Sequence, residues 1–563
     1  MFHWFVTTLQ HHPELAIFLT LAIGYWIGNL KIGNFSLGSV TGVLLAGVLV
    51  GQMDITISEN VKSIFFLFFL FAVGYGVGPQ FVRGITSNGA PQALFAVVIC
   101  FICLAAAYIA IKVAGYDVGF GAGLFAGSQT ISASIGLATD AINRLGLPAD
   151  KAKEMLNQIP VAYAVCYIWG TIGTGWILSK IGPKLLRIDL VAECKKYEAE
   201  MSSGEPETGM GSVWHAITMR AYQIAPDAKT FGMTVAEAEA IIPDTRLFIE
   251  RIRRDGKIIE FDPKTILKAG DVLAISGHHE VLVETIEKAI TEVEDRELLS
   301  VPVESIDLVV TKKAIDGKTL MEISKMDFTR GVYLNKITRG ATGVDIPILA
   351  KTQIHRGDIL KISGTHLHVD RLAKTVGYAD RPTAITDMLF VGLGIVLGGL
   401  FGSLVLPIKG VPITLSTCGG TLIAGLIIGW LRSIHPTFGR IPAPSLWFMN
   451  SVGLNIFIAV VGISSGPGFI TGLKAAGISL FFWGVFATSV PMLLAPLIGK
   501  YVFKFHPAIN LGICGGARTS TASVGMVNEE AKSNIPMLGY TIPYAVSNTL
   551  LTLWGMVIVL LLK

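Results

Sequence analysis

The sequence predicts a polytopic α-helical membrane protein: two inverted repeats, each of about five crossings plus a re-entrant hairpin, with two small α+β cytoplasmic modules inserted between them. Three observations lead there. Hydrophobic residues fill 52% of the 563 positions and charged residues 15%, and the mean hydropathy is +0.60, a balance found in chains that sit in lipid. A glycine- and hydroxyl-rich phrase occurs twice, FAGSQTISASIG at 125–136 and CGGARTSTASVG at 514–525, sharing Gly127/Gly516, Thr130/Thr519, Ala133/Ala522, Ser134/Ser523 and Gly136/Gly525 in register. Between the apolar halves, residues 183–380 are a different material, with lysine, arginine, aspartate and glutamate throughout.

Apolar segments run over roughly 14–30, 36–52, 61–82, 91–114, 118–140 and 158–180, and again over roughly 385–406, 411–431, 446–466, 475–499, 507–528 and 538–562. The N-terminus has neither the basic start nor the cleavage site of a signal peptide, so the first segment is expected to remain as a span. Two further matches keep the same order: GVLLAGVLVGQ (42–52) with GTLIAGLIIGW (420–430), and VGYGVGPQFVRG (73–84) with VGISSGPGFITG (461–472). Three ordered matches identify a duplication.

Lys180, Lys184 and Arg187 lead into the charged part and Arg371, Lys374 and Arg381 lead out, which places it in the cytoplasm. Nothing basic precedes Lys31, so the N-terminus belongs outside and each half needs an odd number of crossings. Six segments meet that need if one is re-entrant. The Gly/Ser/Thr phrase is the natural hairpin, because broken backbone at membrane depth survives only inside protein or beside a water-filled cavity. The second repeat is then inverted. Arg432, Arg440, Lys500 and Lys504 fall on the cytoplasmic side as they should, whereas Arg144, Lys151 and Lys153 fall outside, against the trend.

Within the charged part, a polar linker ends in KKYEAEMSSGEPETGMGS. Two copies of a smaller unit follow: ILKAGDVLAISGHHEVLVETIE (266–287) aligns with QIHRGDILKISGTHLHVDRLAK (353–374) through Gly270/Gly357, Asp271/Asp358, Ser276/Ser363 and Gly277/Gly364. Alternation before each copy predicts strands, and the stretch after each SG a helix. The expected domains are repeat one at 1–182, the linker at 183–212, modules at 213–292 and 293–380, and repeat two at 381–563.

Breakers in matching places of two halves mark a transport site. Arg518 lies inside the second, flanked by Gly515, Gly516, Thr519 and Ser520. A guanidinium at the bilayer centre costs about 2.5–3.5 kcal/mol on insertion scales, so its default explanation is functional, and its planar fork matches a carboxylate. The other readings are that it snorkels to the cytoplasmic face or pairs with Glu529 or Glu530. Gln129, its register partner, is neutral, so the first hairpin would offer hydrogen bonds from Ser128, Gln129, Thr130 and Ser132. Helix N-termini at the breaks would turn a positive dipole end toward an anion. Asn548, shortly after IPYAV, is a further candidate, as is Gln158 at the echoing IPVAYAV; Arg83, ending the third span, reads as an interface anchor.

Other signals carry less. The net charge of +4 is too small and spread out for a nucleic-acid partner. Cys100 and Cys103 form a CxxC inside an apolar helix, where small packing residues are expected. Val73-Gly74-Tyr75-Gly76 mimics a potassium filter, but Ala72 stands where its threonine should be. GTIGTG (170–175) lies within a span and reads as helix packing. His278, His279, His366 and His368 follow the SG turns without evident carboxylate partners, so no metal is expected; no soluble GxGxxG follows a strand, so NAD-type binding is not expected either.

GGARTSTASVG with its partner FAGSQTISASIG, the paired GxxxGP elements and two modules bearing GDxLxISG together resemble the aspartate:alanine exchanger family over essentially the whole chain. Singly, the modules resemble the C-terminal regulatory domains of potassium-conductance regulators. The resemblance implies a secondary antiporter of the inner cell membrane, homodimeric and without a cofactor, exchanging external aspartate for internal alanine by an elevator-like displacement. It also implies a small-molecule regulator at the modules, such as a cyclic dinucleotide. Because the family includes dicarboxylate exporters, a succinate or dicarboxylate transporter is the alternative in the same class. A ligand-gated ion channel is the alternative from another class, disfavoured because a buried Arg518 repels cations. No nucleophile–base pair in the spans points to an enzyme.

Overall fold

The computed structural model describes residues 2–32, 35–36, 38–86, 89–201, 217–228, 230–241, 247–278, 282, 291–300, 303–329, 331–339, 344–380, 386–408, 411–435 and 439–563. After the helix Phe2–His11, each half has two apolar helices with an antiparallel pair of strands between them. In the first these are Pro13–Gly28 and Ser39–Gly51, around strands Lys31–Ile32 and Phe35–Ser36. In the second they are Met388–Gly402 and Ser416–Ile434, around strands Val405–Ile408 and Val411–Thr414. Neither strand pair was read from the sequence, because each interrupts an apolar run too briefly to show a period of two.

Two long helices follow in the first half, Glu59–Thr86 and Ala90–Ala114. In the second, the predicted segments 446–466 and 475–499 form one unbroken run of helical residues, Ala443–Tyr501, with membrane-length parts Ala443–Lys474 and Ala476–Tyr501. Both ends of this run lie on the module face. Arg440, just before it, lies over the ring of Tyr378 in the second module, and Lys500 Nζ donates to the Leu186 carbonyl at 2.5 Å beside the linker. The chain therefore crosses twice here too. Among the described residues seven segments are long and apolar enough to cross a membrane, and the shorter Pro13–Gly28, Ser39–Gly51 and Met388–Gly402 fill the remaining places in a plan of five crossings per half.

A broken hairpin and a closing helix complete each repeat: Val118–Ser128 and Ala133–Asn143 before Ala149–Trp176, and Pro507–Ala517 and Thr521–Ala531 before Thr541–Leu562. The first closing helix starts just after the base of its own hairpin and continues through a π turn at Ile177–Ile181. At its far end Lys180 pairs with Glu530, at the base of the other hairpin, at 2.5 Å. At 1.5 Å per residue those points lie roughly 45–50 Å apart, about the full thickness of a bilayer. The hairpins thus open on opposite faces, and the second repeat is inverted.

Each hairpin leans on its closing helix through glycine. A Cβ added to Gly127 would meet the Tyr163 carbonyl at 2.5 Å, and one on Gly516 would fall on the Tyr540 carbonyl. The predicted glycine phrase is therefore a close-approach device, of the small-residue kind that packs helices in membranes.

The two modules share one topology. Module one has β1 Ile217–Gln223, β2 Phe248–Arg254, β3 Lys257–Ile259, β4 Val272–His278 and β5 Thr291–Glu292, in the antiparallel order β3-β2-β4-β1-β5. Module two has β6 Val303–Val310, β7 Val332–Arg339, β8 Val344–Ile346, β9 Ile359–Thr365 and β10 Gly377–Asp380, in the order β8-β7-β9-β6-β10. Each carries a capping box on its short helix, Thr234 with Glu237 and Thr319 with Glu322. The GDxLxISG motif is structural: Gly270 and Gly357 turn at φ +88° and +87°, and the aspartate that follows is clamped by an arginine ending the neighbouring strand, Arg254–Asp271 at 2.7 Å and Arg339–Asp358 at 2.5 Å. The turns differ in their surroundings. A Cβ at Gly270 would meet nothing within 4 Å, whereas one at Gly357 would meet Pro79 at 2.8 Å and Ser433 at 3.6 Å on the membrane helices. Module two is seated there. Arg83, beside Pro79, shares a 50 Å³ cavity with Asp316 and Arg356 of this module. His355 and Arg356, each 3.3 Å from Asp316, hold its carboxyl down to about 2.

Two expected outcomes follow from this arrangement. All six native cysteines are buried, so single cysteines at exposed Asn143 and Lys532 should react with a membrane-impermeant thiol reagent from opposite faces of sealed vesicles; labelling of both from one face would reject the inversion. Gly516→Ala should lower the thermal midpoint of the purified protein, at an overpacking cost of about 1–3 kcal/mol. Gly525→Ala, whose Cβ would meet nothing within 4 Å, should leave the midpoint unchanged.

Candidate functional site

The two hairpin tips are built alike. Helix Val118–Ser128 ends with Gln129 at its C-cap, then Thr130 at φ 52°; helix Pro507–Ala517 ends with Arg518, then Thr519 at φ 56°. In each the next amides fold back, Thr130 N–H to Gly127 O (3.0 Å) with Ile131 N–H to Ala126 O (3.0 Å), and Thr519 N–H to Gly516 O (2.9 Å) with Ser520 N–H to Gly515 O (3.1 Å). These are Schellman closures, which usually place glycine where the chain turns left-handed. A β-branched threonine in that conformation is a true outlier and stores strain of order 1–3 kcal/mol. Both halves keep it at the same register position.

Between the tips lies a cavity of 170 Å³. Thr130, Ser132, Thr519 and Asn548 line it, so four of the predicted residues converge from both hairpins and the last helix. Ile131 and Ala133 also face it, bringing the N-terminus of helix Ala133–Asn143 to its wall and with it the positive end of a helix dipole. Phe69, Val73 and Val77 close it on one side, Asn450, Leu454 and Tyr544 on others. Sequence reasoning missed these. For Asn450 a signal existed, one of two amides with Asn455 in the apolar run LWFMNSVGLNIF, which by the same reasoning as for Arg518 marks a candidate.

Arg518 lies behind this wall, next to Thr519. It is 0% exposed, which excludes snorkelling, and Glu530 is taken by Lys180 while Glu529 is exposed. Its Nη2 donates to the Ser128 carbonyl, which also accepts from Thr488 Oγ1 at 3.0 Å. Nε and Nη1 have no hydrogen-bond partner, and among the described residues no carboxylate pairs with it. Gln129, also 0% exposed, donates to Ser128 Oγ and to Ala487 O, each at 3.1 Å, and its Oε1 is unpartnered.

The remaining predicted residues serve the tips. Ser132 Oγ lies 2.6 Å from Tyr163 Oη, and Ser520 caps the following helix by accepting from Ser523 N–H at 3.3 Å. Gly515 packs on Val524 and Gly516 on Tyr540. Gln158 is away from the tips, its Oε1 beside Gly119 near the hairpin base.

The signals set aside also resolve. Residues 73–76 lie inside the unbroken helix Glu59–Thr86, where carbonyls bond along the helix and cannot form a filter. Within 170–175, Gly170 meets the Gly127 carbonyl and Gly175 meets Met526, so the stretch packs helices. One expectation needs correction: His366 does have carboxylate partners, Glu304 at 2.9 Å and Asp370 at 3.6 Å. His368 lies 3.7 Å from Glu250 of the other module. Glu304 and Glu250 are distant in sequence, which hid those two pairings, whereas Asp370, four residues after His366, was legible. Both ring nitrogens of His366 thus face carboxylates, and Glu304, His366 and Asp370 form a cluster in which one polar atom of each lies within 4.8 Å of the others. His278 and His279 fall at the edge of the described residues, and nothing is assigned to their side chains.

A family model described as a predicted permease membrane region matches residues 16–181 and 390–560. A TrkA-C domain model matches residues 219–289, within module one. An uncharacterized transporter of Shewanella oneidensis is 55% identical over 100% of both chains. One of Bradyrhizobium diazoefficiens is 42% identical over 92% of this chain and 100% of its own, and one of Francisella tularensis is 34% identical over 100% and 99%. No solved structure matches the chain. With the inverted repeat, the paired hairpins and the inserted modules, these matches establish that the chain is a multi-pass membrane transporter belonging to the aspartate–alanine exchanger family.

Proposed function

We propose that the protein is an antiporter that takes up external aspartate in exchange for internal alanine, by elevator-type alternating access in the inner membrane, as a homodimer with its modules in the cytoplasm. One observation carries the proposal: Arg518 is a buried cation with no carboxylate partner among the described residues, one residue from a cavity between the hairpin tips that Thr130, Ser132, Thr519 and Asn548 line. An uncompensated buried charge is costly, and a substrate carboxylate supplies the compensation. The unpartnered N–H groups at Nε and Nη1 can donate to the α-carboxylate common to both substrates, while Thr130, Ser132, Thr519 and Asn548 meet the part that differs. The basic residues Lys180, Lys184, Arg432, Arg440, Lys500 and Lys504 cluster toward the module-side ends of the spans, which supports a cytoplasmic location for the modules. In this scheme the modules regulate: a small ligand such as a cyclic dinucleotide acts by preferring one conformation of the membrane part.

Arg518→Lys keeps the charge and loses the fork. It should abolish most labelled-aspartate uptake into proteoliposomes and remove the thermal stabilisation that aspartate confers on the purified protein by binding its folded state, while insertion and the unliganded midpoint stay normal. Undiminished stabilisation by aspartate in Arg518→Ala would reject the assignment, and stabilisation of the unsubstituted protein by succinate alone would transfer the site to dicarboxylates.

The exchange should also be electrogenic. Aspartate carries one net negative charge near pH 7, its side chain having a pKa of about 4, and alanine carries none. One-for-one exchange moves one negative charge inward per cycle, uphill by about 2.3 kcal/mol per 100 mV at an inside-negative potential. Opposed gradients of the two amino acids must drive it, and decarboxylation of aspartate to alanine would maintain both. An inside-positive potential set with potassium and valinomycin should accelerate uptake; exchange indifferent to potential would point to compensating proton movement or another substrate pair.

A further inference from the structure

A second cavity, of 510 Å³, lies between the second module and the membrane helices and adjoins the first, since Phe69, Asn450 and Leu454 line both. Its roof is the module's sheet, through Val309 of β6, Thr338 of β7, Ile359 of β9 and the Gly357 turn. Its walls come from helices Glu59–Thr86 and Ser416–Ile434 and from the first arm of Ala443–Tyr501. Among the described residues lining it two carry full charges, Arg432 and Arg440, both cations; none is a carboxylate. Both guanidiniums lie over the ring of Tyr378 in β10, with their carbons 5.2 and 5.8 Å from its centroid, and Arg440 Nη1 donates to Tyr378 Oη at 3.4 Å. A cleft with low-dielectric walls and charge of one sign focuses its field and concentrates counter-ions.

We infer that this cavity is a carboxylate-selecting vestibule on the path between the module face and the hairpin tips, with Arg432 and Arg440 as the selecting pair and Tyr378 as the group by which module two holds them at its wall. The inference rests on reading the tip cavity as the substrate site. It goes beyond that reading by giving the path an electrostatic filter outside the hairpins and by making the second module part of the filter. The ligand class is a small organic carboxylate, with no distinction at this point between an acidic amino acid and a dicarboxylate. That distinction belongs to the tips.

Ser451 lines the vestibule and not the tip cavity, so Ser451→Cys in the full-length protein reports on it without any substrate. The probes are an anionic and a cationic methanethiosulfonate reagent, each normalised to its rate with a small free thiol; the unsubstituted protein, whose six cysteines are buried, gives the background. The anionic reagent should react roughly tenfold faster, and the ratio should shrink as ionic strength rises. Arg432→Gln with Arg440→Gln should bring the ratio close to one, whereas the double Lys variant should keep it. Tyr378→Leu should alter the ratio while leaving both arginines in place. In proteoliposomes each Gln variant should raise the KM for labelled aspartate several-fold with little change in maximal rate. Equal labelling by the two reagents in the unsubstituted arginine background, or a ratio that survives both Gln substitutions, would overturn the vestibule whatever the substrate is. A ratio unmoved by Tyr378→Leu would overturn the part assigned to module two. An intact ratio in a protein that does not transport aspartate would count against the exchange reading alone.

Discussion

The last carbonyl of helix Val118–Ser128 is the point on which the two halves of the molecule depend. It stands at the negative end of a helix dipole, deep in the protein, where a carbonyl left without a donor costs as much as a lost hydrogen bond. Its donors come from the other repeat: Arg518 from the opposing hairpin and Thr488 from the second arm of the long helix. The inverted repeat is thus asymmetric where it matters most. Gln129, in the register position of Arg518, reaches Ala487 O instead of the opposing tip. One guanidinium thus links tip to tip, beside the cavity lined by Thr130 and Thr519.

That tie also explains why the tips bend where they do. Lipid cannot satisfy a broken helix, so each break must close its own hydrogen bonds within a few residues. The Schellman closure does this by folding two amides back onto the preceding turn, at the cost of one left-handed residue. Threonine in that place is less comfortable than glycine, yet it keeps a hydroxyl at the cavity wall. Local strain and a polar lining are two consequences of one residue choice at Thr130 and Thr519.

Much of this was legible in the sequence because it is local or repeated. The duplicated phrase located both breaks, the odd crossing count required the inversion, and the GDxLxISG copies defined two like modules. Four of the residues singled out there, Thr130, Ser132, Thr519 and Asn548, reach the cavity. What escaped depends on tertiary placement. Phe69, Val73 and Val77 look like any lipid-facing residues until helix Glu59–Thr86 is set against the tips. Arg518 had two structural readings that only its burial and the Lys180–Glu530 pair could remove. The two-stranded hairpins near residues 31–36 and 405–414 were hidden because so few residues carry no periodicity.

The modules show how duplication and coupling separate. Both fold the same GD turn around an arginine clamp, so the motif by itself specifies a turn and no function. The second copy has something to act on, because its turn is seated on Pro79. Pro79 belongs to helix Glu59–Thr86, the same helix that presents Phe69, Val73 and Val77 to the tip cavity, while Phe69 and Gln80 also face the vestibule. One helix therefore touches the module and lines both cavities. On the proposed function, a ligand on the module would change affinity at the tips only to the extent that it prefers one arrangement of this element over another, and substrate at the tips would then change the module's affinity for that ligand by the same factor. A Cβ on the corresponding turn of module one, at Gly270, would meet nothing within 4 Å. Module one touches module two, where Ser276 Oγ lies 3.3 Å from Tyr333 Oη and Phe248 meets the Tyr333 ring edge-on at 6.2 Å. A chain of contact from module one to the tip cavity accordingly runs through module two and then through the helix that carries Pro79.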